Sequence, residues 1–134
     1  MIFDTDVLIW VFTGHEGAAQ LVQGQDERRI SLVTYAELIQ GARNRQELRE
    51  IKYFLKDHAF QTLPLTENIG HRASVYMEEY TLKTALSQAD ALIAATAVEH
   101  HLTLCTANRK HYRAINELEL KTFRPRPDGG SGSA

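Results

Sequence analysis

The chain has 134 residues, enough for one domain with a buried core and too few for two ordinary ones. An apolar share of 43%, a charged share of 24%, five Phe, five Tyr and one Trp exclude a disordered chain. A net charge of -2 gives no global attraction to nucleic acid, so such a partner needs a local basic patch or bound cations.

The opening segment, MIFDTDVLIW, sets Asp4 and Asp6 inside an apolar run. Met1–Phe3 predicts a strand, and the run through Val7-Leu8-Ile9-Trp10 predicts buried structure, where a charge is costly unless it is paired or holds a metal. Asp4 therefore either makes a strand-end turn or helix cap, or binds something. Ala18, Leu21 and Val22 suggest a short helix, and Ile30–Val33 predicts the second strand. Thr34-Tyr35-Ala36-Glu37 then fits a capping box with Thr34 at the N-cap, which gives Glu37 a structural role beside any ligand role. Leu48, Ile51, Leu55 and His58 recur at steps of three and four and predict a helix. Phe60–Leu65 predicts the third strand, and Ile69, Ala73, Tyr76 and Tyr80 another helix.

From about Gln88 to His101, Ala89, Leu92, Ile93, Thr96 and Ala97 predict a closely packed helix. Ser87-Gln88-Ala89-Asp90 is a capping box with Asp in place of Glu, so Asp90 also has a structural role available. His100 and His101 fall at that helix's end, where they cap carbonyls or face solvent. Leu102–Cys105 and Leu120–Phe123 predict the last two strands. Cys105 cannot form an intrachain disulfide, and there is no leader segment or apolar run of about 18 residues, which reads as a cytoplasmic protein with no membrane partner. The final RPDGGSGSA resembles a linker or expression scar, so residues 1–125 are expected to form the single domain and residues 126–134 a flexible tail.

Strands alternating with helices predict a three-layer α/β/α domain around a mainly parallel sheet of about five short strands. Ligands of such sheets bind beyond the carboxyl ends of the strands. Asp4 and Asp6 follow the first strand, Glu37 the second and Asn108 the fourth, while packing must bring in Asp90. Three acids sharing that crevice repel one another unless a divalent cation or a basic group neutralises them. Carboxylates are hard ligands, and without a Cys/His pair at zinc spacing the pattern points to Mg²⁺ or Mn²⁺. No Gly-rich phosphate loop or nucleophile elbow is present, and Cys105 in an apolar strand reads as a core residue. Metal-assisted hydrolysis is the chemistry left.

The segments FDTDVLIW, SLVTYAELIQGA and ADALIAATAVEHHLTLCTANRKHY, in that order and spacing, resemble the PIN-domain ribonucleases, most of all the VapC toxins of bacterial toxin–antitoxin pairs. The resemblance reaches to about Pro125 and implies a PIN-like fold. It implies an acidic catalytic site at Asp4, Glu37 and Asp90, with Asn108 where many members carry a fourth acid or an Asn. Thr106 matches a supporting hydroxyl position, and Asp6, which stands where many members have Asn, is expected as a rim or supporting carboxylate. The implied activity is a Mg²⁺-dependent endoribonuclease that hydrolyses RNA phosphodiesters. One or two Mg²⁺, with Mn²⁺ as a substitute, would be held by Asp4, Asp90 and Glu37; the metal would acidify the attacking water and offset charge on the leaving oxygen.

Arg43 and Arg45, then Arg109, Lys110 and Arg113, are candidates for phosphate contacts, His111 for a substrate-facing role and Tyr112 for stacking on a base, each beside a surface reading. The resemblance further implies a homodimer inhibited by a small antitoxin, whose segment fills a groove and sends a basic side chain toward the acids. Trp10 is a candidate to line that groove, or else a core or dimer contact. Two other functions remain open from sequence: a nuclease of the same fold acting in RNA processing or on DNA flaps, and a non-catalytic interaction module, for which Asn108 in place of an acid is the best support.

Overall fold

The computed structural model describes residues 1–125. The expected tail, 126–134, lies outside the described residues. In chain order the elements are β1 (Ile2–Phe3), α1 (Thr5–Phe12), α2 (Glu16–Gln23), β2 (Arg29–Ser31), α3 (Leu32–Gln40), α4 (Arg45–Asp57), β3 (Gln61–Leu63), α5 (Glu67–Tyr80), α6 (Gln88–Glu99), β4 (Leu104–Thr106), α7 (Arg109–Tyr112) and β5 (Leu120–Thr122). The strands form one parallel sheet in the order β3-β2-β1-β4-β5.

Alternation along the central strands sorts side chains into two cores. Ile2 pairs with Leu104, and both face the side covered by α5 and α6 with Ile69, Ala73, Ile93 and Ala97. Phe3 pairs with Cys105, and both face the opposite side with Val7 and Leu8 of α1, Val22 of α2, Leu38 of α3 and Leu55 of α4. These three layers match the expected architecture, and all five expected strands form. No helix among the described residues is long and apolar enough to cross a membrane.

The differences lie at the ends of elements and have local causes. The second strand stops at Ser31 rather than Val33, because the Ser31 hydroxyl accepts the Val33 N–H and starts α3 there. Thr34 is therefore a buried residue inside the helix, not its N-cap. The third strand is shorter than expected at both ends, with Pro64, which cannot donate to a ladder, directly after it. At the end of α6, His101 takes a positive φ of 56°, and the N–H groups of Leu102 and His101 return to the carbonyls of Ala97 and Val98. This Schellman closure ends the helix at Glu99 and delays β4 to Leu104–Thr106. The run Val7–Trp10 is a turn of α1, so Val7 and Leu8 are buried whereas Ile9 and Trp10 are not.

Candidate functional site

After β1 the chain builds outward through β2 and β3, then returns to the other side of β1 with β4. The carboxyl ends of β1 and β4 thus border the crevice where the sheet's winding reverses. Asp4 follows β1 directly and is the N-cap of α1, in extended backbone conformation. Its Oδ1 accepts the Thr5 N–H at 2.8 Å, and its Oδ2 accepts the hydroxyls of Thr106 at 2.8 Å and Tyr112 at 3.0 Å. Only 6% exposed, its carboxyl is pushed up to about 7 by burial and then by the charge of Asp6, against the lowering effect of those hydrogen bonds.

Asp90 arrives on the first turn of α6. The capping box forms as expected: the Asp90 N–H donates to Ser87 Oγ and the Ser87 N–H to Asp90 Oδ2, each at 3.1 Å. The box leaves Asp90 Oδ1 to accept the Tyr112 hydroxyl at 3.0 Å, so Asp90 both caps its helix and faces Asp4 across one phenol. His111 stands beside it, with Nδ1 3.4 Å from Asp90 Oδ2.

Glu37 does not close a capping box. With Ser31 as the cap, its Oε1 instead accepts the Thr5 hydroxyl at 2.6 Å, and Thr5 Oγ1 also lies 3.0 Å from Thr34 Oγ1. Thr5 thereby joins α1 to α3 and ties Glu37 to the residue next to Asp4. Asp6 and Asn108 meet each other: Asn108 Nδ2 donates to Asp6 Oδ2 at 2.5 Å, and the Ala107 N–H approaches the same oxygen at 3.3 Å. Burial raises the Asp6 carboxyl above its ordinary range. Thr106, besides donating to Asp4, accepts the Asn108 N–H at 3.0 Å and so fixes the start of the following loop.

Among the described residues no three His, Cys, Asp or Glu side chains are drawn together as a metal cluster. Asp4 and Asp90 are joined through Tyr112, Glu37 is held one residue away through Thr5, and Asp6 is answered by Asn108. In donor chemistry the set still fits a hard divalent cation: it is all oxygen, and Asp4 lies buried beside the Asp6 carboxylate with only neutral hydrogen-bond donors as partners.

The substrate candidates separate. Arg109 and Lys110 are exposed on α7 at the rim by Asn108, and His111 is half-buried against Asp90. Arg43 is exposed and paired with Glu47. Arg45 begins α4, and Arg113 follows α7. Tyr112 is fully buried, so it cannot stack on a base; α7 turns its ring into the core and its hydroxyl into the site. Trp10 packs edge-on against His15. It is not part of the apolar groove between α1, α3 and α4, which is lined by Phe12, Leu38, Ile51 and Phe54 and carries Glu37 and Arg43.

Sequence reasoning missed Thr5 and the true place of Tyr112. Thr5 had a signal, a hydroxyl between two acids in Asp4-Thr5-Asp6. Tyr112 had none, since its neighbours Arg109, Lys110, His111 and Arg113 read as surface.

The fold and site define a parallel α/β domain with an acidic crevice at its topological switch point. A family model of the PIN domain matches residues 1–117, and the chain belongs to that family. It is 36% identical over 123 residues to a protein named Ribonuclease VapC10 from Mycobacterium tuberculosis, covering 89% of this chain and 90% of that one. It is 30% identical over 129 residues to Ribonuclease VapC1 from Rickettsia felis, covering 91% and 95%. A solved toxin–antitoxin complex from Klebsiella pneumoniae contains a chain that superposes with a TM-score of 0.77 at 30% identity, covering 93% of this chain and 97% of that one.

Proposed function

We propose that this chain is a Mg²⁺-dependent endoribonuclease and the toxin of a toxin–antitoxin pair, acting in the cytoplasm with residues 1–125 as one nuclease domain. The observation that carries the reading is the meeting of Asp4 and Asp90, 86 positions apart in the numbering, across one phenol at the switch point of the sheet. The relatives named ribonucleases and the neighbouring toxin–antitoxin structure support RNA as the substrate and an antitoxin as a partner.

Asp4 and Asp90 would hold Mg²⁺ or Mn²⁺, with Glu37 as a direct ligand or through water and Asn108 beside them. Such a cation acidifies water and offsets charge on the phosphodiester during hydrolysis. Thr106 orients Asp4, and Asp6 anchors Asn108 through its amide. Arg109, Lys110 and His111 lie on the rim where flanking phosphates would run, and Arg43 lies farther out along the groove. An antitoxin segment in that groove would reach Glu37 with a basic side chain, and the chain would pair as a homodimer.

The test is cleavage of total cellular RNA by purified protein with Mg²⁺ or with EDTA, beside Asp90→Asn. Discrete fragments that need both the metal and Asp90 are expected. Fragments of equal yield with EDTA or with Asp90→Asn would reject this site. A second reading, a binding module without catalysis, is favoured by Asn108, whose amide is engaged by Asp6 rather than replaced by an acid. An intact RNA profile from folded protein would favour that reading.

A further inference from the structure

Tyr112 closes α7 and is 0% exposed, part of the core that also holds Ala91, Ile115 and Leu118. A phenylalanine would fill that space equally well, so packing does not account for the hydroxyl. That hydroxyl lies 3.0 Å from Asp4 Oδ2 and 3.0 Å from Asp90 Oδ1. A phenol has one proton, which serves one carboxylate at a time, so it is a shared donor between two acids. The two carboxylate oxygens are consequently no farther apart than twice that distance. Asp4 Oδ1 and Asp90 Oδ1 each accept one hydrogen bond among the described residues, and each keeps a lone pair for another partner.

We infer that Tyr112 is a positioning residue whose hydroxyl sets the spacing of Asp4 and Asp90 for one divalent cation. The inference rests on the proposal that these two acids share that cation. Two carboxylates at such separation in a partly buried crevice repel, and a neutral donor anchored in the core between them limits how far they swing apart. Carboxylate ligands held in this way bind metal more tightly than free ones, because the cation need not order them itself.

The test is a Mn²⁺ titration of the full chain, with free Mn²⁺ read by electron paramagnetic resonance, on the wild type, Tyr112→Phe and Tyr76→Phe. Tyr76 is the control, a buried tyrosine whose hydroxyl donates to Glu117 at 2.8 Å, away from this site. Tyr112→Phe is expected to weaken Mn²⁺ about tenfold, with Tyr76→Phe unchanged. Its RNA cleavage should regain the wild-type rate at saturating Mg²⁺, a shift in metal dependence that loss of packing alone would not produce. Equal or tighter Mn²⁺ binding by Tyr112→Phe, at a melting temperature matching Tyr76→Phe, would overturn the inference and leave the cation site standing. Absence of Mn²⁺ binding by the wild type would overturn the cation site and the inference together.

Discussion

Replacing Asp4 with Asn removes a buried charge while keeping the shape of the side chain and its N-cap hydrogen bond, for which Asn and Asp serve about equally. The Asp4 carboxyl is pushed from the ordinary 3.8 up to about 7, so the folded state holds its proton more tightly than the unfolded chain does. The stability this gives is fully present below pH 3.8 and is lost as pH rises through about 7. At about 1.36 kcal/mol per pH unit, the ionised carboxylate costs about 4 kcal/mol at pH 8 without a cation. An amide avoids that cost but has one acceptor oxygen for the donors Thr5, Thr106 and Tyr112, a loss of about 1–3 kcal/mol. Asp4→Asn should therefore stabilise the cation-free protein by about 1–3 kcal/mol at pH 8 and give no gain near pH 4. Urea denaturation in EDTA at the two pH values reads this directly. Added Mn²⁺ should reverse the order at pH 8, raising the melting temperature of the wild type alone. An equal stability change at both pH values would refute the assignment of a strained carboxylate.

Asp90→Asn keeps an acceptor for the Ser87 N–H, so its melting temperature should stay within about 2 °C of wild type while RNA cleavage falls about 100-fold or more; parallel melting and cleavage assays check both. Ser87→Ala removes the acceptor for the Asp90 N–H and should cost about 1 kcal/mol, seen as a drop of about 3–5 °C by calorimetry. Burial pushes the Cys105 thiol up to about 12, so a disulfide reagent at pH 8 should leave it unmodified in native protein and modify it fully in urea.

Much of the fold follows from patterns that local physics enforces. Five short β-rich runs became five strands, and the helical steps around Leu55, Ala73 and Ile93 placed their buried faces correctly. The failures came where two local solutions compete. Val7-Leu8-Ile9-Trp10 reads as one buried run, but an apolar run suits a strand or a helix alike, and as a turn of α1 it buries only Val7 and Leu8. Ser31 and Thr34 are both good N-caps, and the contact of Thr34 with Thr5 on another helix favours the earlier start. At the site, Asp4 and Asp90 were legible as acids placed at an element's start. The Asp6–Asn108 and Tyr112–Asp4 contacts were not, because each joins residues more than a hundred positions apart.

That separation also has a meaning in time. During synthesis at about 5–20 residues per second, Thr106 and Tyr112 follow Asp4 by about 5–20 seconds. Until they arrive, the chain carries Asp4 without the two hydroxyls that hold its Oδ2 and without the phenol that joins it to Asp90. The groove between α1, α3 and α4 is lined by residues 9 to 54, all translated before α6 and β4. The surface that would receive an inhibitor is thus the early product of the ribosome, and the acidic centre is among the last parts of the fold to be completed.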